Sequence, residues 1–178
     1  MNLDKLDIGD NVPDEVNVVI EIPAQGEPVK YELDKESGGL VVDRFFGTAM
    51  HYPCNYGFVP HTLSEDGDPV DVLVITRVPL LNSAIIAVRP VGMLRMEDES
   101  GIDAKIIAVP IDKLTRQYKD VHELEDLPET FLHEISHFFE QYKALEPGKW
   151  AKVDGWADAA AAKQEIVDSI TRYENDAT

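Results

Sequence analysis

Cysteine is almost absent from this 178-residue chain. Cys54 stands alone, so no intrachain disulfide can form and a reducing compartment is expected. Positive charge is scarce too: 16 Lys and Arg face 34 Asp and Glu, a formal net charge of −18. Such a surface repels nucleic-acid backbones and anionic membranes, so neither partner is expected. No apolar run reaches the length of a membrane span. The opening MNLDKLDIGD carries acids where a secretory leader needs a basic start and an apolar stretch, which points to a cytoplasmic protein. Repeats, low-complexity tracts and Gly-, Ser- or Pro-rich linkers are also lacking. Residues 1–178 are therefore expected to form a single domain.

What is present is ordinary globular material, 44% hydrophobic and 28% charged, enough to bury a core. The first two-thirds read as strands: VNVVIEIP (16–23), VKYELD (29–34), GLVVDRF (39–45), VDVLVIT (70–76), IIAVRPVGMLRM (85–96) and AKIIAVP (104–110). They are β-branched or alternating and are separated by turn formers. Without helical crossovers between them, they predict an antiparallel meander or a closed barrel. Residues 128–145 carry a helical apolar stripe through Phe131, Leu132, Ile135, Phe138, Phe139, Tyr142 and Leu145, ended by Gly148. The alanine-rich stretch 157–175 is a second helix. A small barrel with helices packed on its outside is the expected architecture.

Chemistry-bearing residues begin with DGDPVDV (66–72), where Asp66, Asp68 and Asp71 crowd together. Like charges this close repel unless a positive group sits among them. A solvated acidic loop would explain them blandly, and a cation site more sharply. An EF-hand loop is excluded, because its glycine position holds Asp71 and its last ligand position holds Arg77. An all-carboxylate donor set suits hard cations such as Mg²⁺ or Mn²⁺. A second acidic cluster, MEDESGIDAK (96–105), places Asp98 and Asp103 around a Ser-Gly turn with Lys105 opening the next strand; alone, it reads as an exposed hairpin tip. Three strands put charge near a barrel mouth. Lys30 and Glu32 lie opposite the apolar face of their strand, Glu21 shares a face with Val19, and Arg44 shares one with Leu40 and Val42. Tyr52 and Tyr56 in HYPCNYGF, and Tyr142 beside Lys143, taken singly are packing residues.

One segment competes. HEISH (133–137) has the spacing of a zinc-peptidase helix, with Glu134 as the base. Yet the longer motif with a third histidine is missing, and Glu165 could ligate only if the last helix folds back. The zinc reading also leaves the aspartates, lysines and tyrosines upstream without a role.

These segments together resemble the soluble inorganic pyrophosphatases of family I, in their bacterial form. The likeness runs from about Pro13 to the C-terminal helix, through IEIPA, KYELDKESG, VDRF, YPCNYGF, DGDPVDV, MEDESGIDAK, HFFEQYK and KVDGW. The resemblance implies an α+β, mainly β fold, a five-stranded OB-like closed barrel with helices packed outside. It implies hydrolysis of pyrophosphate to two phosphates by in-line attack of water activated by several Mg²⁺ ions, with Mn²⁺ or Zn²⁺ as substitutes. By position, Asp66, Asp71, Asp98, Asp103, Glu21 and Glu32 match metal-facing carboxylates, and Asp68 matches the general base. Lys30, Arg44, Tyr56, Lys105, Tyr142 and Lys143 match phosphate-binding groups, with Tyr52 nearby. A homohexamer, a dimer of trimers, is implied as well. Gln141 departs from the pattern, since many relatives carry a histidine there at a subunit contact. The charges agree with the resemblance. Seven carboxylates, four cations and pyrophosphate sum to about −7, which repels the substrate, and four divalent ions bring the site to about +1. A non-catalytic OB-type binding module is the alternative from another class.

Overall fold

The computed structural model describes residues 2–34 and 36–176. Among these residues there are nine strands: β1 (Val16–Ile22), β2 (Val29–Leu33), β3 (Leu40–Phe45), β4 (Asn55–Phe58), β5 (Asp71–Val74), β6 (Ile85–Asp98), β7 (Gly101–Ile102), β8 (Lys105–Pro110) and β9 (Ala151–Ala157). The described residues also form two α-helices, α1 (Glu129–Gln141) and α2 (Ala159–Asp176), on either side of β9.

Five strands form a ring in the order β1-β4-β5-β8-β6, and β6 pairs back to β1. The long β6 makes this possible. Its first residues pair with β1 (Val16↔Val88 to Val19↔Ile85), its middle with β8, and its last third with β9 (Met93↔Ala157 to Asp98↔Ala151). A register shift between Pro90 and Gly92 bends the strand there. Gly92 is needed at the bend, because a Cβ on it would lie 2.3 Å from the Leu124 side chain. Not every pairing is antiparallel: β5 and β8 run parallel, Asp71↔Lys105 through Val74↔Ala108. The ring is thus OB-like, as expected, and not a meander.

Alternation explains why the central strands are buried on both faces. On β5, Val72 and Val74 join one apolar cluster and Leu73 the other; on β8, Ile106 and Ala108 divide from Ile107 and Val109 in the same way. Helix α1 covers one cluster with Ile135, Phe138 and Phe139, and α2 covers the other with Ala162 and Ile166. Each fully buried aliphatic side chain contributes about 1.5–3 kcal/mol.

Three strands escape the sequence pattern: the two-residue β7 at the hairpin tip, β4 and β9. In β4, NYGF, Tyr56 and Phe58 look like loop aromatics, but Gly57 lets the backbone of β1 approach. A Cβ there would lie 2.0 Å from the Val19 carbonyl oxygen. In β9, AKVDGWA pairs only at the outer edge of β6, so its polar residues remain partly exposed. Helix α1 also ends earlier than its apolar stripe suggests. It stops at Gln141, and Tyr142 to Gly148 continue as turns (Ala144 N–H to Gln141 O, 3.0 Å; Glu146 N–H to Lys143 O, 2.9 Å). Pro147 bars another helical turn by clashing with the carbonyl four residues back. Ala157, expected to open the second helix, ends β9 instead.

The β2–β3 hairpin stands apart from the ring as its own two-stranded sheet. Between the pairs Lys30↔Arg44 and Tyr31↔Val42, Asp43 is an extra residue. The bulge breaks the period of two, so Arg44 does not share a core face with Leu40 and Val42; Val42 is itself 51% exposed. Of the three strands expected to place charge at the barrel mouth, only β1 belongs to the ring.

Candidate active site

The parallel β5–β8 ladder sets the centre of the site. Because Asp71 and Lys105 open their strands in direct register, their side chains emerge together. The Lys105 ammonium lies 2.5 Å from Asp71 Oδ2 and 2.6 Å from Asp103 Oδ1, and donates to the Tyr56 hydroxyl at 3.3 Å. It also stands over the Tyr56 ring, 5.5 Å from the centroid. Lys105 is 3% exposed. Burial works against its charge, but Asp71 and Asp103 outweigh burial and hold it well above the usual lysine range. Asp103 moves upward, mainly through burial; Lys105 offsets part of this and Asp71 adds to it.

A tight turn brings up the next carboxylates. Asp66 Oδ1 accepts from the Asp68 N–H (3.1 Å), and the Ser64 N–H donates to the Asp68 carbonyl (2.7 Å). Gly67 makes the turn possible with φ +93°. The Thr62 hydroxyl ties this turn to β5 by accepting from the Val70 N–H at 2.9 Å. Burial raises the Asp66 carboxyl, with the Asp68 N–H partly offsetting it. Glu21, on β1, is 8% exposed and accepts from the Leu33 N–H at 2.6 Å. Burial pushes it up to about 8; the Leu33 bond opposes this and Asp71 adds to it.

The hairpin closes one side. Lys30 pairs with Glu32 and lies 3.5 Å from Asp43 Oδ2. On the opposite side, Lys143 donates to Asp98 Oδ2 (2.6 Å) and to Glu99 Oε1 (3.2 Å). Burial disfavours charge on both Lys143 and Asp98, yet Lys143 is raised by Tyr142 and Asp98, and Asp98 is lowered by bonds from Lys143 and the Ser100 N–H. Tyr142 is fixed by stacking on Phe138 (5.2 Å) and by an edge contact with Phe46 (5.7 Å). Burial raises the Tyr52 and Tyr56 hydroxyls well above the ordinary phenol range.

The thirteen residues that the resemblance assigns to metal, base or phosphate roles all line two adjoining cavities. One is walled by Glu21, Lys30, Glu32, Tyr56, Asp68 and Asp71. The other is walled by Lys30, Arg44, Tyr56, Asp66, Asp68, Asp71, Asp98, Asp103, Lys105, Tyr142 and Lys143, with Tyr52. The acidic hairpin tip at 96–105 is therefore only partly a surface feature: Asp98 and Asp103 are each 8% exposed. The sequence reading missed Glu99, Ser100 and Lys149, which line the second cavity. Glu99 was legible as the neighbour of Asp98. Lys149 was not, because it comes into reach only through the turns after α1.

Every charged acceptor in these walls is a carboxylate, and no thiolate or imidazole lines them. The Glu21, Asp66 and Asp103 carboxyls are raised first by burial, with neighbouring carboxylates adding to it. That chemistry fits hard divalent cations. Among the described residues no group of three or more His, Cys, Asp or Glu side chains is arranged to hold an ion. The ammonium of Lys105 lies between Asp71 and Asp103 instead.

The HEISH segment does not form a second centre. His133, Glu134 and His137 lie on the exposed side of α1, opposite buried Ile135, Phe138 and Phe139. His133 Nε2 is 3.8 Å from Glu129, and Glu165 is engaged with Arg172 on α2 at 2.5 Å. The peptidase reading is thereby corrected: the pattern is the polar face of an amphipathic helix.

The family model described as inorganic pyrophosphatase matches residues 18–174. The inorganic pyrophosphatase of Agrobacterium fabrum is 56% identical over 173 residues, covering 97% of this chain and 98% of that protein. That of Vibrio vulnificus is 57% identical over 175 residues, covering 98% and 99%. Among solved structures, the inorganic pyrophosphatase of Coxiella burnetii superposes with a TM-score of 0.91 at 55% identity, covering 94% of this chain and 99% of that one. The enzyme from Thermus thermophilus gives 0.92 at 46% identity, covering 98% and 99%. With the family model spanning most of the chain and these relatives matching nearly end to end, the chain belongs to the inorganic pyrophosphatase family.

Proposed function

We propose that this protein hydrolyses inorganic pyrophosphate to two phosphates in the cavity around Asp71 and Lys105. One observation carries the reading: carboxylates and cations from both sheets and from the turns beyond α1 alternate around one polar pocket that shares Lys30, Tyr56, Asp68 and Asp71 with its neighbour. A pocket for a neutral metabolite has no need of so many charges, and one for a bare anion would not be lined by so many acids.

Mg²⁺ ions would be held by Asp66, Asp71, Asp98 and Asp103, with Glu21 and Glu32 beside them; bound there, they supply positive charge for the substrate and acidify water. Asp68, which lines both cavities, would take the proton of the attacking water. Lys30, Arg44, Lys105 and Lys143 would grip phosphate oxygens and offset charge on the leaving group, while Tyr56 and Tyr142 donate hydrogen bonds to them. Burial keeps both phenols protonated, as donors must be. Residues 1–178 would work as one domain, in the cytoplasm, as a homohexamer with α1 at a subunit contact near His137.

The test is phosphate release from pyrophosphate with MgCl₂ by the wild type and by Asp68→Asn. The wild type should turn over, and the amide variant should lose about 100-fold or more near neutral pH with an unchanged thermal melt, because an amide cannot accept the proton. Full turnover by a folded Asp68→Asn would remove Asp68 from the base role.

A further inference from the structure

Arg44 is held in an unusual way. Its Nε is buried and lacks a hydrogen-bond partner among the described residues, and so does the Oε1 atom of Glu146. The two atoms face each other at 3.5 Å as an ion pair. Glu146 Oε2 lies 3.6 Å from Lys149 Nζ, so one carboxylate stands between two cations that line the same cavity. The side chains are largely withdrawn from water, 14% exposed for Glu146 and 21% for Arg44. A charge left unpaired in such a place is costly, which gives this contact weight despite its length.

The chain around it makes the carboxylate a charged tie between two pieces that lie far apart in sequence. They also touch through Phe46 and Tyr142 and through Thr48 and the Tyr142 carbonyl. Arg44 belongs to the hairpin, which shares no strand ladder with the ring. The hairpin meets the ring through the Leu33 N–H to Glu21 bond (2.6 Å) and the packing of Leu33 on Val19 and Phe58. Glu146 belongs to the turns after α1, held by Glu146 N–H to Lys143 O (2.9 Å) and Lys149 N–H to Glu146 O (3.2 Å). The two backbones meet closely, since a Cβ on Gly47 would lie 3.1 Å from Leu145 Cβ. We infer that Glu146 is a positioning residue for substrate binding. It holds Arg44 by the Nε edge and steadies Lys149; Nη1 lies 3.8 Å from Asp43 Oδ2, beyond hydrogen-bond distance, so the outer guanidinium nitrogens can turn to phosphate oxygens as a fork.

This inference rests on the pyrophosphate reading and has a distinct signature. Charge alone argues the opposite way: a carboxylate in the wall repels the substrate, so its removal should tighten binding unless its positioning effect is larger. Glu146→Gln preserves shape and removes the charge; Glu146→Ala removes both. Steady-state kinetics with Mg²⁺ should show KM for pyrophosphate raised about tenfold in each, with kcat changed less than about threefold. Titration calorimetry with methylenediphosphonate, which cannot be hydrolysed, should show a matching loss of affinity. In an Arg44→Lys background the effect should shrink below about twofold, because the two side chains act as one unit. If Glu146→Ala melts too readily to assay, Glu146→Gln decides. An unchanged or lowered KM and an unchanged analogue affinity in Glu146→Gln, with an active wild type, overturn the positioning role alone. So does an equal effect in the Arg44→Lys background. A wild type that neither hydrolyses pyrophosphate nor binds the analogue overturns both readings.

Discussion

On the ring, Asp71 and Lys105 open two strands whose following residues are buried on both faces, whereas Lys30, Glu32 and Arg44 project from a hairpin whose second strand is mostly exposed. The ring half is fixed by backbone register and by two apolar clusters pressing from either side. The hairpin half has its own two-stranded ladder, touches the ring through Leu33, and has its charges paired side chain to side chain, Lys30 with Glu32 and Asp43 and Arg44 with Glu146. A site that handles crowded like charges needs the first kind of support, because carboxylates that repel stay together only where the fold gives them no retreat. Groups that grip a flexible anion tolerate the second kind.

The sharpest way to break this contrast is to neutralise one charge in each half. Asp71→Asn should lower turnover at saturating substrate by about 100-fold or more, since it removes a carboxylate from the centre and leaves Lys105 with Asp103 alone. Lys30→Gln should act mainly on binding, raising KM about tenfold, as expected for one phosphate contact among several. Kinetics of both proteins in Mg²⁺ decide the matter; equal effects on kcat would mean the two halves do not divide the work.

Stability should follow the same division with smaller numbers. Ile107→Ala, in a strand buried on both faces, should cost about 2–5 kcal/mol through a cavity that the ring cannot close. Val42→Ala, on the exposed hairpin strand, should change stability by less than about 0.5 kcal/mol. Urea unfolding of the two variants measures the difference, and a costly Val42→Ala would show that the hairpin carries core weight that its exposure hides.

The smallest effect is expected on α1. His133→Ala and His137→Ala should each keep pyrophosphate hydrolysis within about twofold, because their side chains point away from both cavities. Light scattering alongside the assay separates a change in assembly from a change in chemistry. Loss of activity in a correctly assembled His137→Ala would connect the helix's outer face to the site.

How much of this was legible beforehand varies by residue. The chemistry of Asp66, Asp68 and Asp71 was open to inspection because all three sit within one short turn, where spacing in sequence is spacing in space. Six strands, β1, β2, β3, β5, β6 and β8, and both helices were legible from periodicity for a related reason: side-chain direction repeats every two residues in a strand and every 3.6 in a helix. The same reasoning misread β3, whose bulge at Asp43 resets the alternation, and passed over β4 and β9, which are strands only because β1 and β6 offer them a partner.

The sequence by itself determined the composition of the site: many carboxylates, a few cations, phenols as donors, and no thiolate or imidazole required. Its family resemblance assigned those residues to positions. Tertiary structure alone decided which charges meet. That Lys105 lies between Asp71 and Asp103 follows from a parallel pairing of strands 34 residues apart. That Glu146 reaches Arg44 follows from α1 ending at Gln141 and turning back over the hairpin. Local propensity and pattern are written in neighbouring residues, but an electrostatic partnership depends on the distance between side chains, and that distance is set only when the ring and the turns around it have packed.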